Sequence, residues 1–334
     1  MDFDLSEDQL DLRKGAAALL DSLSGIPRVR AAVDAGQPDA ELWAAMVDQG
    51  WTAVDTPVDD GGLGLGAVEM SVLCEEIGRH LAPAPFTGTV LAGGALRAAL
   101  VAGAVPAERA VAGAGAGEWA DRLSAGDAVS AVAWSTDAGA VQATRDGSTD
   151  AWVLSGRTDP VAFAPGADVL VVLATGEDGP GLFLTAGPAP APEPAMDRTR
   201  PVARVVVEGA PAVRLGGDEA VQRLLDRAAA AVSAEMLGAA DQVLAMTVQY
   251  AKDRVQFGRP IGSFQAVKHR CADMLVDVEG MRSAAYYAAW AVGAAQPDAS
   301  AAASAAKVWC SDAARRVMAS ALQVHGGIGF TWEH

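Results

Sequence analysis

Arg254-Val-Gln-Phe-Gly-Arg-Pro-Ile-Gly-Ser-Phe-Gln-Ala-Val-Lys268 decides how the rest of the chain is read. Before it, Leu224, Leu225, Ala228, Val232, Leu237, Val243, Met246 and Tyr250 follow helical spacing. After it, Phe264, Val267, Cys271, Met274, Val278, Met281 and Ala285 mark a second apolar stripe. Gly258, Pro260 and Gly262 interrupt the pattern between them, and Ser263 offers an N-cap for the second helix. The stretch predicts an αα-hairpin with Arg254, Gln256 and Phe257 at a helix C-terminus. An arginine fork, an amide and an aromatic ring at one turn suit a phosphate-bearing, adenine-like ligand. An ordinary interhelical turn with a solvated arginine uses the same residues, and spacing alone leaves both readings open.

The C-terminal stretch Gln323-Val-His-Gly-Gly-Ile-Gly-Phe-Thr-Trp-Glu-His334 follows a helical run that starts near Ser300. Gly326 and Gly327 are expected to end that helix in conformations closed to other residues. Toward the N-terminus, residues 1 to about 115 read as helical. Ser6-Glu-Asp-Gln9 has a capping-box pattern, and a second run covers Ala40 to Gly50. A glycine-rich loop, Thr56 to Gly66, leads into a helix from Ala67 to His80. Its Gly-Gly-Leu-Gly-Leu-Gly run is not a dinucleotide fingerprint, because no strand leads into it and no βαβ unit surrounds it.

From about 118 the period changes. Ala128–Trp134, Ala151–Leu154, Val169–Leu173, Leu182–Thr185 and Val202–Val207 are short β-type runs separated by Gly, Asp and Pro clusters. Pro188 to Pro194 reads as a stiff extended loop. From Gly216 onward the chain is helical again. The organisation is therefore mainly α, of the α+β class. A helical domain (1–117), a small β domain (118–215) and a C-terminal four-helix-type bundle (216–334) succeed one another.

Composition narrows the function. A chain of 334 residues, 51% hydrophobic and 20% charged, describes a globular protein with a large core. No apolar run reaches the roughly eighteen residues of a membrane span, and the acidic N-terminus lacks signal-peptide character. The formal charge of −17 opposes binding to nucleic acid over most of the surface. Arg254, Arg259, Lys268, His269 and Arg270 can still form a local basic patch. Cys74, Cys271 and Cys310 have neither metal-ligand spacing nor a pairing pattern, so no metal is expected and a reducing cytoplasm is the natural compartment.

Arg-x-Gln-Phe-Gly-x-Pro-Ile-x-x-Phe-Gln, followed by Gln-x-His-Gly-Gly-x-Gly-Phe, resembles the acyl-CoA dehydrogenase family in residues, order and spacing. The loop Thr56-Pro-Val-Asp-Asp-Gly-Gly-Leu-Gly is similar to that family's interhelical turn. The resemblance implies a helical domain, a β domain and a helical bundle, with FAD bound across a subunit interface. It also implies oxidation of an acyl-CoA thioester, in which a carboxylate takes the α-proton while the β-hydride passes to FAD. On this resemblance Arg254, Gln256, Phe257, Gln265, Gln323, Gly326 and Gly327 contact the cofactor's adenosine and pyrophosphate.

The chain departs from the family where the isoalloxazine ring and the base belong. In place of a Thr-Glu-Pro-x-x-Gly-Ser-Asp loop stands Trp134-Ser-Thr-Asp-Ala-Gly-Ala-Val141. In place of the flavin-facing Trp element stands Thr158-Asp-Pro-Val161, with no aromatic wall and one backbone donor fewer. Ala228 occupies the family's base position on the helix before the Arg254 turn, and alanine accepts no proton. Asp226 is on another face; Glu235 shares the face but lies about 10 Å along the helix, at 1.5 Å per residue. The family's other base position lies beyond the Gly326 turn and beyond His334. The pattern resembles the degenerate, non-catalytic subunits of actinobacterial heterotetrameric steroid acyl-CoA dehydrogenases. It implies an α2β2 partnership with a catalytic subunit. A self-sufficient FAD-dependent homotetramer and a flavin-free interaction protein on the same fold remain the alternatives.

Overall fold

The computed structural model describes residues 4–147 and 151–331 of the chain. Helix α1 (Glu7–Leu23) starts at the expected capping box. The Gln9 N–H donates to Ser6 Oγ at 3.2 Å, and the Ser6 N–H donates to Gln9 Oε1 at 3.0 Å. Helix α2 (Ile26–Ala35) lies outside the helices read from the pattern. Pro27 in its first turn and a left-handed Gly36 at its end are the signals that carry it. Asp39 caps α3 (Ala40–Asp48) by accepting from the Glu41 and Leu42 N–H groups. The glycine run at 61–66 precedes α4 (Ala67–His80) with no strand beside it, in agreement with rejecting a dinucleotide fingerprint. There follow α5 (Phe86–Val101), a two-residue pair of strands β1 (Ala110–Val111) and β2 (Ala114–Gly115), and α6 (Ala116–Ala125).

Six strands then form one sheet: β3 (Ser130–Ala133), β4 (Val141–Arg145), β5 (Trp152–Ala162), β6 (Val169–Gly176), β7 (Gly179–Ala186) and β8 (Val202–Gly216). Antiparallel pairing runs β4–β5–β8–β7–β6, and β6 returns to β4 through Gln142 and Thr175. β3 pairs with β6 in parallel. The sheet closes on a core that includes Leu154, Leu170, Val172, Phe183 and Val205. β4 is not among the runs read from the pattern, although Val141 and Ala143 alternate inward with outward polar residues. β5 continues past Pro160 because the register shifts between Arg157 and Pro160, and such an irregularity admits a residue without an N–H.

The last part holds α7 (Asp218–Asp253), a hairpin of β9 (Val255–Gln256) and β10 (Arg259–Pro260), α8 (Gln265–Gly293) and α9 (Ala299–His325). The expected αα-hairpin is present, but Ser263 does not cap α8. It lies in a 3-10 turn, Ile261–Ser263, and Phe264 is the extended residue before the helix. The Phe264 ring meets Phe257 edge-on at 6.0 Å and lies 4.2 Å from the Arg259 guanidinium. That packing, with the Phe264 N–H donating to the Ile261 carbonyl, moves the helix start past the serine.

The chain's contacts gather into two units: Met1–Ser22 with Ala67–Ala82 and Ala229–His334, and Leu23–Gly66 with Pro83–Ala228. In the first, α4 crosses α7 backbone against backbone. A Cβ on Gly78 would lie 1.9 Å from the Glu235 carbonyl oxygen, and one on Gly238 would lie 1.8 Å from that of Glu75. Beside the crossing, Glu75 is 1% exposed. It accepts from Arg13 at 3.2 Å, Arg282 at 3.1 Å and the Tyr286 hydroxyl at 2.5 Å. Arg79 and Arg282 also reach Asp241, at 2.6 and 3.2 Å. Burial and the neighbouring Glu75 carboxylate push the Tyr286 phenol well above its ordinary range. Leu237, Met274, Val278, Met281, Cys310 and Val317 form the apolar core of this unit. In the second unit α5 packs on β3, where the Ser130 N–H donates to Thr89 Oγ1. An ion pair between Arg227 and Asp55 lies over the bare face of Gly94.

Candidate functional site

The Arg254 turn is a tight hairpin. Phe257 and Gly258 both take positive φ, 54° and 76°, the backbone a two-residue loop of this kind requires. Gln256 pairs with Arg259 across it, and the Ile261 N–H donates to the Arg254 carbonyl at 2.8 Å. Holding a phenylalanine in the left-handed region costs on the order of 1 kcal/mol, which the surroundings must offset. The Phe257 side chain is 91% exposed. Arg254 is exposed and, among the described residues, enters no ion pair. The Gln256 amide turns back to the Val255 carbonyl at 2.9 Å, and Gln265 Nε2 lies 2.8 Å from His269 Nε2.

The Gln323 turn is built by the end of α9. Gly326 stops the helix at φ 66°, ψ −139°, while its N–H still reaches the Leu322 carbonyl. Only Gly326 of the glycine pair takes a positive φ. Gly327 has an ordinary φ and open space where a Cβ would point, so its bare Cα serves no internal packing. It leaves room for a close approach from outside. Gln323 is exposed beside it.

The two turns are joined by a contact that no sequence spacing announces. Tyr250, in the last turn of α7, stacks on His325, the last residue of α9, with ring centroids 4.5 Å apart and planes at 24°. His325 is oriented by its own helix, Nδ1 lying 2.8 Å from the Ala321 carbonyl. Arg254 follows Tyr250 by one helical turn and Gly326 follows His325 directly, so both motifs sit at one end of the same unit. Phe257, Ile328 and Phe330 are exposed apolar groups in these two turns.

The β-sheet loops have a different character. Thr136 uses both its N–H and its hydroxyl on Asp159 Oδ2, each at 2.9 Å. These bonds hold the Asp159 carboxyl below the usual carboxylate range. The Asp159 N–H in turn reaches the Trp134 carbonyl, and Thr158 Oγ1 donates to the Asp159 carbonyl. The loop after β3 is therefore closed on β5 by its own donors. Trp134 is half exposed, and Phe163, the residue just after β5, is buried. On α7, Ala228 is half-buried, while Asp226 is buried and accepts from Gln222 Nε2 at 2.8 Å. Glu235 is buried, and its backbone carbonyl faces Gly78 of α4. Among the described residues, no group of His, Cys, Asp or Glu is placed to hold a metal ion, and no helix is long and apolar enough to cross a membrane.

The profile of the acyl-CoA dehydrogenase C-terminal domain matches residues 216–334, and that of the N-terminal domain matches 6–103. Acyl-CoA dehydrogenase IpdE2 of Mycolicibacterium smegmatis is 34% identical over 332 residues, 99% of this chain and 90% of the relative. The chain belongs to the acyl-CoA dehydrogenase family. Among solved structures, the Tcur3481-Tcur3483 steroid ACAD G363A variant aligns with a TM-score of 0.87 at 32% identity, covering 98% of this chain and 89% of the other. The ChsE4-ChsE5 complex from Mycobacterium tuberculosis aligns with a TM-score of 0.86 at 30% identity, covering 100% of this chain and 90% of the other. The chain thus has the architecture of an oxidoreductase family, and the helix–sheet–helix order read from its periodicity is that family's fold.

Proposed function

We propose that this chain is the cofactor-completing subunit of a heteromeric FAD-dependent acyl-CoA dehydrogenase, with its catalytic base and isoalloxazine pocket supplied by a partner chain. The observation that carries the reading is the asymmetry between its two half-sites. The turns at Arg254 and Gln323 are open, with a guanidinium that enters no ion pair among the described residues, an exposed aromatic ring and an uncluttered Gly327. Those features fit an adenosine pyrophosphate group approaching from another subunit. The β-sheet loops do not fit the isoalloxazine half, since Thr136 is already bonded to Asp159 and no aromatic wall stands between 156 and 162.

On this reading Arg254, Phe257, Gln265, Gln323 and Gly327 hold the far end of FAD, and Gln256 and Gly326 shape the two turns. FAD supplies the acceptor for the hydride leaving the β-carbon of the thioester. Ala228 contributes no base, and Asp226 and Glu235 are structural carboxylates. Leu275 and Val276 on α8 and Val308 and Trp309 on α9 are large exposed apolar groups, which supports covering of these helices by a partner chain. The two structural neighbours, a steroid ACAD variant and a two-component complex, support a steroid-derived acyl-CoA thioester and an α2β2 assembly. The domain division 1–117, 118–215 and 216–334 and a reducing cytoplasm belong to the same proposal; all three cysteines are free thiols.

Native mass spectrometry of the co-purified complex, with flavin quantified, tests it. The expected assembly holds half as many FAD molecules as chains. Arg254→Ala is expected to strip most of that FAD, because a charge-assisted hydrogen bond is worth on the order of 1.5–3 kcal/mol. A flavin in every chain, a flavin-loaded assembly of this chain alone, or unchanged FAD in the mutant overturns the reading.

The base assignment has its own check. Glu235→Gln and Asp226→Asn are each expected to keep dehydrogenation within about tenfold of the parent complex, whereas losing a general base typically costs roughly 10²–10⁴-fold. A drop of that size with FAD still bound would make this chain catalytic.

A further inference from the structure

We propose that Arg109, Arg145 and Arg214 form a binding groove for a compact polyphosphate anion, in a part of the chain that the cofactor reading does not use. The groove is a cavity of about 490 Å³ between the segment 104–109, Arg145 of β4 with Trp152 of β5, and the end of β8. Its lining carries these three arginines and, among the described residues, no carboxylate. In a chain with 42 acidic and 25 basic residues, this is a local reversal of sign. A concave patch of one sign focuses its field on an oppositely charged ligand.

The guanidinium groups are held before any ligand arrives. Arg145 lies 4.7 Å and Arg214 5.4 Å from the centroid of the Trp152 ring, which is itself packed edge-on against Phe183. Stacking on an aromatic face fixes the position of a guanidinium group. With Trp152 occupied in this way, the groove recognises charge and not a flat ring. Arg214 Nε is buried and donates to no acceptor among the described residues. An acceptor oxygen in the groove would remove the cost of that unmet donor. The carboxylate that Arg214 does reach, Asp178, is mostly exposed and 3.4 Å away.

Arg109 is exposed and enters no ion pair among the described residues. Gly216 and Gly217 also line the cavity and lead into α7, whose first-turn carboxylates Asp218 and Glu219 offset the positive end of the helix and lie outside the lining. A monocarboxylate would answer one guanidinium, whereas a pyrophosphate places several charges on a body small enough to bridge them. A second cavity of about 330 Å³, sharing Arg109 and Val213, leaves room for whatever the phosphate chain is attached to.

Isothermal titration calorimetry on the purified full chain, with any partner that co-purifies, tests the groove. The probes are inorganic pyrophosphate, orthophosphate, ADP and a poly-glutamate peptide. Pyrophosphate is expected to bind roughly tenfold or more tighter than orthophosphate. Arg109→Ala and Arg214→Lys are each expected to weaken it by roughly tenfold without changing the melting temperature. ADP equal to pyrophosphate would identify a phosphate chain alone as the ligand; tighter ADP binding that is still lost in Arg109→Ala would identify a nucleotide. The proposal is overturned if pyrophosphate gives no binding, if both groove variants bind as the parent does, or if only Arg254→Ala abolishes binding. It is also overturned if the peptide binds in place of the phosphates, because the groove then docks an acidic protein segment.

Discussion

Glu75→Ala is expected to destabilise the protein by about 3–5 kcal/mol, the usual consequence of removing one partner from a buried charge cluster. Glu75 is the member that three arginines share: Arg13 at 3.2 Å, Arg282 at 3.1 Å and Arg79 at 3.6 Å. Without it Asp241 can answer only Arg79 and Arg282, and Arg13 and the Tyr286 hydroxyl lose their carboxylate. Natural domains are stable by about 5–15 kcal/mol, so the variant should melt far below the parent or fail to accumulate as folded protein. Glu75→Gln keeps an acceptor for Tyr286 and the packing volume, and should fall between the two. Circular dichroism melts of the three proteins check the order; an Ala variant as stable as the parent would mean the cluster contributes little beyond packing.

Gly238→Ala is expected to cost about 3 kcal/mol, at the upper end for overpacking a tight interior. The new methyl would fall 1.8 Å from the Glu75 carbonyl oxygen and near the Arg79 N–H, both in the backbone of α4, so no side chain can turn aside. Relief requires α4 and α7 to separate, which also lengthens the contacts from Glu75 and Arg79 to their partners. Gly78→Ala repeats the test from the other helix, against the Glu235 carbonyl. Gly280→Ala is a useful contrast, since its methyl would meet the Trp309 side chain, a half-exposed ring with room to move. Urea denaturation midpoints should show large losses at 78 and 238 and a smaller one at 280. Equal losses at all three positions would refute the backbone-crossing account.

Local chemistry made much of this protein legible in advance. A serine and a glutamine three residues apart define the start of α1, because both ends of the capping box are within one turn. The limits of α4, the end of α7 and the stop at Gly326 follow from residues adjacent in the chain. The Arg254 and Gln323 motifs likewise announced family and fold, since each is a short run whose backbone needs are set by its own glycines and proline. Even the misplacement of the α8 cap at Ser263 concerns one residue, displaced by the packing of Phe264 on Phe257 and Arg259.

What pattern reading could not reach depends on groups far apart in sequence. The Tyr250–His325 stack that brings the two turns to one end joins residues with no shared period. Nothing local marks Gly78 and Gly238 as a crossing, because each need arises only when the other helix is present. β4 and the long continuations of β5 and β8 are weak as isolated segments and become strands through their partners. Asp159 reads as a lost aromatic wall in the sequence; folding makes it the acceptor that engages Thr136. Arg109, Arg145 and Arg214 are three scattered charges along the chain, and only closure of the sheet beside segment 104–109 turns them into one groove. Short-range hydrogen bonding and backbone sterics act within a turn and can be read from order alone, whereas burial, shared charges and close approach exist only once distant segments meet.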